Sequence, residues 1–146
     1  MNEPTFQRVT IVGAGAIGGW LGVRLAQAGC TVSAIARGET LATLHREGLR
    51  LRSGDSEQTV SVQAVADGSG LGPQDLVIVA VKAPALANVA PLVAPLLGPK
   101  TLVLTAMNGV PWWFFQGFGG AYENTQLATV DPGGLIGDSI PAHSVL

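Results

Sequence analysis

Cysteine is almost missing from this 146-residue sequence, with Cys30 the only one. An internal disulfide is therefore excluded, and Cys30, His45 and His143 show no zinc-ligand spacing, so no metal site is expected. Cys30 stands between an apolar helical pattern and an apolar strand pattern, where a small buried hydrophobe is the ordinary reading. A reducing cytoplasm suits such a chain.

Charge is also scarce, at 12% of residues against 47% hydrophobic, and the formal net charge is -2. That balance excludes a disordered chain and offers no uniform field for nucleic acid or an acidic membrane. Long apolar spans are lacking too. Residues 9–23 fall short of the roughly 20 a span needs and are loaded with glycine, while residues 101–122 are interrupted by Asn108, Pro111 and Gln116. At the N-terminus Glu3 precedes Arg8 and no small-residue cleavage site follows an apolar core, so a signal peptide is not expected. No internal repeat is apparent. The expectation is one soluble, cytoplasmic domain, with neither nucleic acid nor membrane as partner.

The few charges are unevenly placed. Residues 1–52 carry Arg8, Arg24, Arg37, Arg46, Arg50 and Arg52 against Glu3, Glu39 and Glu47, net +3, and the remainder is net -5. The first third is the natural seat of an anion.

The order of patterns points to an α/β fold. Arg8 to Val12 is a short β-branched run that stops at Gly13, as a buried parallel strand does. Ile17, Trp20, Leu21, Arg24, Leu25 and Ala28 follow on helical spacing, and Gly29 supplies the stop. Residues 31–36 form a second strand, joined to the first by the helical crossover and so parallel to it. Residues 39–47 predict a short helix with Leu41 and Leu44 inward, closed by Gly48. Leu49 to Arg52 and Thr59 to Val62 alternate at period two around Ser53 to Ser56, which predicts a hairpin. Gly68 to Pro73 precedes a strand rather than opening a helix and reads as a loop. Residues 75–81 and 101–105 predict two strands buried on both faces. Residues 84–97 are helical in composition, although Pro91 and Pro95 break or kink the pattern. A helical turn is expected at Pro111 to Phe115, and the rest of the tail carries no assignable pattern.

Gly13-Ala14-Gly15-Ala16-Ile17-Gly18 is a G-x-G-x-x-G motif placed directly after a strand and at the start of a helix. The first glycine permits the tight turn, the second lets backbone approach a pyrophosphate, and the third allows close packing of helix on strand. Free N–H groups and the positive helix end then hold phosphate. The fold class is accordingly a Rossmann-like, doubly wound, mainly parallel sheet, and these six residues are the first candidates for a cofactor site. The second strand ends Ile35-Ala36-Arg37 where an NAD site offers an acid to the ribose hydroxyls. An Arg there pairs with the 2′-phosphate of NADP, so NADPH is the expected cofactor. Lys82 follows six apolar residues at a strand's carboxyl end, where such sheets bind ligands, and contacts either cofactor or a substrate carboxylate. Asn108-Gly109 occupies the same edge after the next strand.

These residues carry a family resemblance. Gly13 to Gly19, the Val81-Lys82-Ala83 strand end and Met107-Asn108-Gly109-Val110 together resemble the N-terminal domain of ketopantoate reductase (2-dehydropantoate 2-reductase), over most of residues 8–110. The resemblance implies that Arg37 holds the 2′-phosphate, that Lys82 lies along the cofactor, and that Asn108 contacts both cofactor and substrate. It also implies NADPH-dependent reduction of a 2-keto acid, most simply ketopantoate to pantoate in pantothenate biosynthesis, with a homodimer as an assembly the family allows. Family members continue into a helical second domain that supplies the catalytic lysine and a substrate-binding acid, so the catalytic residues are expected beyond Leu146. Residues 1–146 are then the dinucleotide-binding domain, with 111–146 a connecting segment. Trp112-Trp113-Phe114-Phe115 departs from the commonest family sequence, which leaves a larger or more apolar 2-keto acid open. The alternative is a non-catalytic NADP-binding module or sensor.

Overall fold

The structure, a computed structural model, describes residues 5–146; Glu3, counted above in the charge and N-terminal readings, lies outside the described residues. Strand β1 (Arg8–Val12) is buried from Val9 onward. Helix α1 (Ala16–Gln27) returns the chain to β2 (Thr31–Ile35), and Gly29, at φ 95°, makes the reversal between them. Such a backbone angle strains any residue with a Cβ.

The inward face of α1 differs from the expected one. Its buried residues are Gly18, Gly19, Gly22 and Val23, whereas Ile17 and Trp20 are 57% and 47% exposed. Close approach is the cause. A Cβ at Gly18 would lie 2.0 Å from the carbonyl oxygen of Gly13, and one at Gly22 would lie 2.7 Å from Leu49 Cδ1. The helix is drawn so near the sheet that glycine is its packing residue.

Helix α2 (Gly38–Glu47) buries Leu44, leaves Leu41 half-buried and ends at Gly48, as expected. The hairpin follows as β3 (Leu49–Ser53) and β4 (Ser56–Val60), with Leu49 opposite Val60 and Ser53 opposite Ser56. Its second strand starts three residues earlier than the apolar alternation suggested. The two-residue Gly54-Asp55 turn sets that register, with Gly54 at φ 60°, and backbone pairing carries the polar Ser56, Glu57 and Gln58 into the ladder. Strand β5 (Gln63–Val65) has no expected counterpart; three residues are too few to show a period.

Strand β6 (Leu76–Val79) is wholly buried and shorter than the apolar run around it. Helix α3 (Leu86–Val93) occupies the middle of the Ala-, Leu-rich stretch, flanked by 3-10 turns at Ala83–Ala85 and Ala94–Leu96. Pro91 is accommodated within the helix, while Pro95 lies where the α-helix gives way to the tighter turn. Strand β7 (Leu102–Thr105) completes a five-stranded parallel sheet in the order β5-β2-β1-β6-β7.

Period-two side-chain alternation feeds two cores. Val9, Ile11, Leu76 and Ile78 pack with Val23, Leu44 and Leu49 on one face; Val12, Val77, Val79 and Val103 pack with Leu86, Ala90 and Val93 on the other. Residues 111–146 join the second core through Trp112, Ile136 and Ile140. Pro111 to Phe115 forms hydrogen-bonded turns, with Phe114 N donating to Pro111 O at 3.2 Å. The short helix α4 (Leu135–Ser139) begins on buried Asp131, whose carboxylate accepts from Ile136 N at 2.8 Å and Gly137 N at 2.9 Å. Trp112 Nε1 donates to Ile140 O at 3.2 Å, and Val145 bridges in parallel to Val103 beside β7.

Candidate functional site

Parallel pairing brings four strand ends level. Val12 is in register with Ile35 of β2 and with Val79 of β6, and Val79 is in register with Thr105 of β7. The chain leaves β1 toward β2 on one side, and it reaches β6 only after β5, on the other side of β1. The order thus reverses between β1 and β6, and a crevice opens where a doubly wound sheet takes its ligands.

A cavity of about 880 Å³ occupies this edge. Its wall includes Gly13, Ala14, Gly15, Ala16 and Ile17, together with Arg37, Lys82 and Asn108. Residues up to 95 positions apart in sequence are thereby gathered by the four level strand ends. Gly18 is the one motif residue off the wall; it lies beneath the loop, where its missing side chain admits the Gly13 carbonyl. Three further wall residues had no distinguishing signal in the sequence: Thr40 in the first turn of α2, and Val89 and Leu92 on α3. The i, i+3 spacing of Val89 and Leu92 marks a helix face but not what the face meets.

Each motif glycine has a separate physical task. Gly13 sits at φ 96°, and a Cβ there would come within 2.9 Å of Ala80 backbone and 2.8 Å of Val81 Cγ1, so the loop lies tight against the end of β6. A Cβ at Gly15 would meet nothing within 4 Å. Gly15 caps α1 without any side-chain hydrogen bond, and no acid stands in the first turn. The positive end of a 12-residue helix therefore faces the cavity with its first-turn N–H groups uncapped by a side chain.

Arg37, Lys82 and Asn108 are exposed, and none of their side chains has a hydrogen bond or ion pair among the described residues. Arg37 precedes α2, and Lys82 precedes the 3-10 turn, both in extended backbone. Glu39, the nearest acid to Arg37 in sequence, lines a different cavity between α1, α2 and the hairpin. Uncommitted cations beside an uncapped helix end, with Val12, Ile35, Val89 and Leu92 as apolar lining, suit a ligand that is anionic in part and apolar in part.

Other polar groups are committed to structure. Asp75 accepts backbone N–H from Gln7 and Arg8, each at 2.8 Å, and these bonds, Arg8 first, hold its carboxyl below the ordinary range. Cys30 donates to Phe6 O at 3.1 Å, and burial pushes its thiol up, away from the reactive thiolate. No cluster of metal-ligating side chains occurs among the described residues, and none of their helices is long and apolar enough to cross a membrane.

The fold and the placement of its cavity define a Rossmann-like, doubly wound domain. The chain belongs to the ketopantoate reductase PanE/ApbA family, which it matches over residues 9–111. It is 47% identical over 140 residues to a 2-dehydropantoate 2-reductase of Mesorhizobium japonicum, covering 95% of this chain and 43% of that protein. A solved structure from Ralstonia solanacearum MolK2, assigned as a ketopantoate reductase, superposes with a TM-score of 0.90 at 52% identity, over 97% of this chain and 44% of the other. A ketopantoate reductase of the same family from Ralstonia eutropha JMP134 gives a TM-score of 0.63 at 38% identity, over 69% of this chain and 34% of the other. The chain thus spans less than half the length of these relatives.

Proposed function

We propose that this chain is the cofactor-binding part of an NADPH-dependent 2-keto acid reductase, and that ketopantoate reduction is the reaction its family membership favours. One observation carries the reading: the glycine loop, Arg37, Lys82 and Asn108, scattered along the sequence, share one cavity at the switch point of the sheet. The relatives named above are oxidoreductases. The cavity fits the cofactor. Space above Gly15 and the uncapped end of α1 admit a pyrophosphate, and Arg37 carries the charge that a 2′-phosphate requires.

In this reading Gly13 to Ile17 hold the pyrophosphate, Arg37 holds the 2′-phosphate, and Lys82 and Asn108 lie toward the reacting end. A bound dihydronicotinamide supplies hydride chemistry. The chain's own residues orient the partners: Asn108 has an amide to give the substrate, and Lys82 offers its ammonium to a carboxylate. Val89 and Leu92 exclude water from the cavity wall. A homodimer and a cytoplasmic setting accompany this proposal.

The test is to follow NADPH absorbance with ketopantoate, using the protein made from its complete natural reading frame. Oxidation that depends on both reactants supports the reading. Tight NADPH binding without reduction of any 2-keto acid would instead favour a binding module.

A further inference from the structure

We infer that a second cavity, beyond the end of β7, receives the side chain of the 2-keto acid, and that the preferred substrates carry side chains bulkier and more apolar than ketopantoate's. The inference rests on the reductase reading above. It begins from a shared wall: this cavity, of about 800 Å³, has Ala83, Met107 and Asn108 in common with the first. A ligand held at Asn108 therefore reaches both spaces.

The two spaces differ in chemistry. The first is lined by Arg37 and Lys82, whereas no charged residue lines the second. Pro84, Val110, Trp112, Trp113, Val130 and Ile136 form much of its wall. Trp112 is itself fixed, since it is 5% exposed and its indole N–H is taken by Ile140 O. Trp113 Nε1 is buried and has no acceptor among the described residues. The remaining polar side chains of this wall, Thr105, Thr129 and the Trp113 indole beside Asn108, are neutral and are outnumbered by apolar ones.

A substrate carboxylate is consequently better placed toward Lys82, with its side chain in the neutral space. Ketopantoate's short side chain ends in a hydroxyl, which loses its hydrogen bonds to water on entering apolar surroundings. An aliphatic or aromatic side chain gains instead, by about fourfold in affinity for each buried CH₂.

The experiment uses the protein made from its complete natural reading frame. Values of kcat/KM for NADPH oxidation are compared for ketopantoate, 2-oxoisocaproate and phenylpyruvate, with NADPH affinity measured in parallel by calorimetry. Ala87→Phe narrows the second cavity from α3, and Val110→Trp narrows it from an exposed rim position where folding is not at stake. The expected result is a phenylpyruvate preference over ketopantoate of about tenfold or more, in the range that hydrophobic pockets achieve. Both substitutions should cut that preference several-fold and leave NADPH affinity in place. Ketopantoate used as well as phenylpyruvate, or equal losses on all three acids in both variants, would overturn the cavity assignment while sparing the reductase reading. NADPH binding with no reduction of any of these acids would overturn both.

Discussion

Arg37 lies two residues past the end of β2, just before α2, and no described side chain neutralises its cation, so its charge is available to a phosphate. A charge-assisted contact contributes roughly 1.5–3 kcal/mol, about ten- to a hundredfold in affinity, and the exposure of Arg37 points to the lower end. Arg37→Ala should therefore erase a preference for NADPH over NADH; equal affinities for the two cofactors in the unsubstituted protein, by titration calorimetry, would refute this. Asp75 gives a second prediction at this scale. Its folded carboxyl titrates below the unfolded value of about 3.9 because backbone N–H groups of Arg8 and Gln7 stabilise the ionised form. The sign follows from linkage: the contribution is fully present above the unfolded value and is lost as pH falls through the lower, folded one. Urea midpoints measured from about pH 5 downward should drop less steeply for Asp75→Asn than for the unsubstituted protein, and parallel curves would remove Asp75 from the account. Arg37, Lys82 and Asn108 were readable from sequence because each follows an apolar strand. Thr40, Val89 and Leu92 were not, because spacing along one element carries no record of which other element it faces.

Helix α1 divides its glycines between binding and packing. Gly15 has open space above it and Gly18 has a carbonyl oxygen 2.0 Å from where its Cβ would be. Gly15→Val should then fold, with an unchanged circular dichroism spectrum, and lose NADPH affinity because its side chain stands where the pyrophosphate approaches. Gly18→Val should fail in the opposite order. Overpacking costs about 1–3 kcal/mol or more, and at about 2–4 °C per kcal/mol a fall in Tm of several degrees should precede any specific binding effect. Were Gly15→Val to bind NADPH normally, the phosphate assignment would be wrong; were Gly18→Val as stable as the unsubstituted protein, the close approach of α1 would be. The strand–turn–helix unit was legible because β-branched residues, three glycines and a Gly29 stop agree with one another. The inward face was not. Ile17 and Trp20 look like core by hydropathy, but the distance between helix and sheet turns them outward and Gly18 and Gly22 in.

At the level of the whole molecule, the cavity holds two ionisable side chains, Arg37 and Lys82, and no carboxylate or histidine among its lining residues. Positioned proton transfer is typically worth 10²–10⁴-fold, and a water-excluding cleft adds to it. Residues 1–146 by themselves are therefore expected to bind NADPH without appreciable turnover of ketopantoate. The comparison is NADPH oxidation by this segment beside the product of the complete natural reading frame; robust oxidation by the segment would move the acid–base chemistry onto Lys82.

What the sequence by itself determined is local and periodic: a β-branched run before G-x-G-x-x-G, an Arg in place of an acid after β2, and apolar strands ahead of Lys82 and Asn108, of which the first is wholly buried and the second buries only Val103. Those features sufficed for the fold class and for the family. Tertiary structure alone decided which of these points meet. Parallel pairing levels Val12, Ile35, Val79 and Thr105, and only that register puts Arg37, Lys82 and Asn108 on one cavity with the glycine loop. It likewise folds Trp112 of the expected turn, with Ile136 and Ile140 of the patternless tail, into the core beside α3 and leaves an uncharged space next to Asn108. The physical reason is range: hydrogen-bonded turns and side-chain periods act over a few residues, whereas packing joins elements that spacing cannot relate.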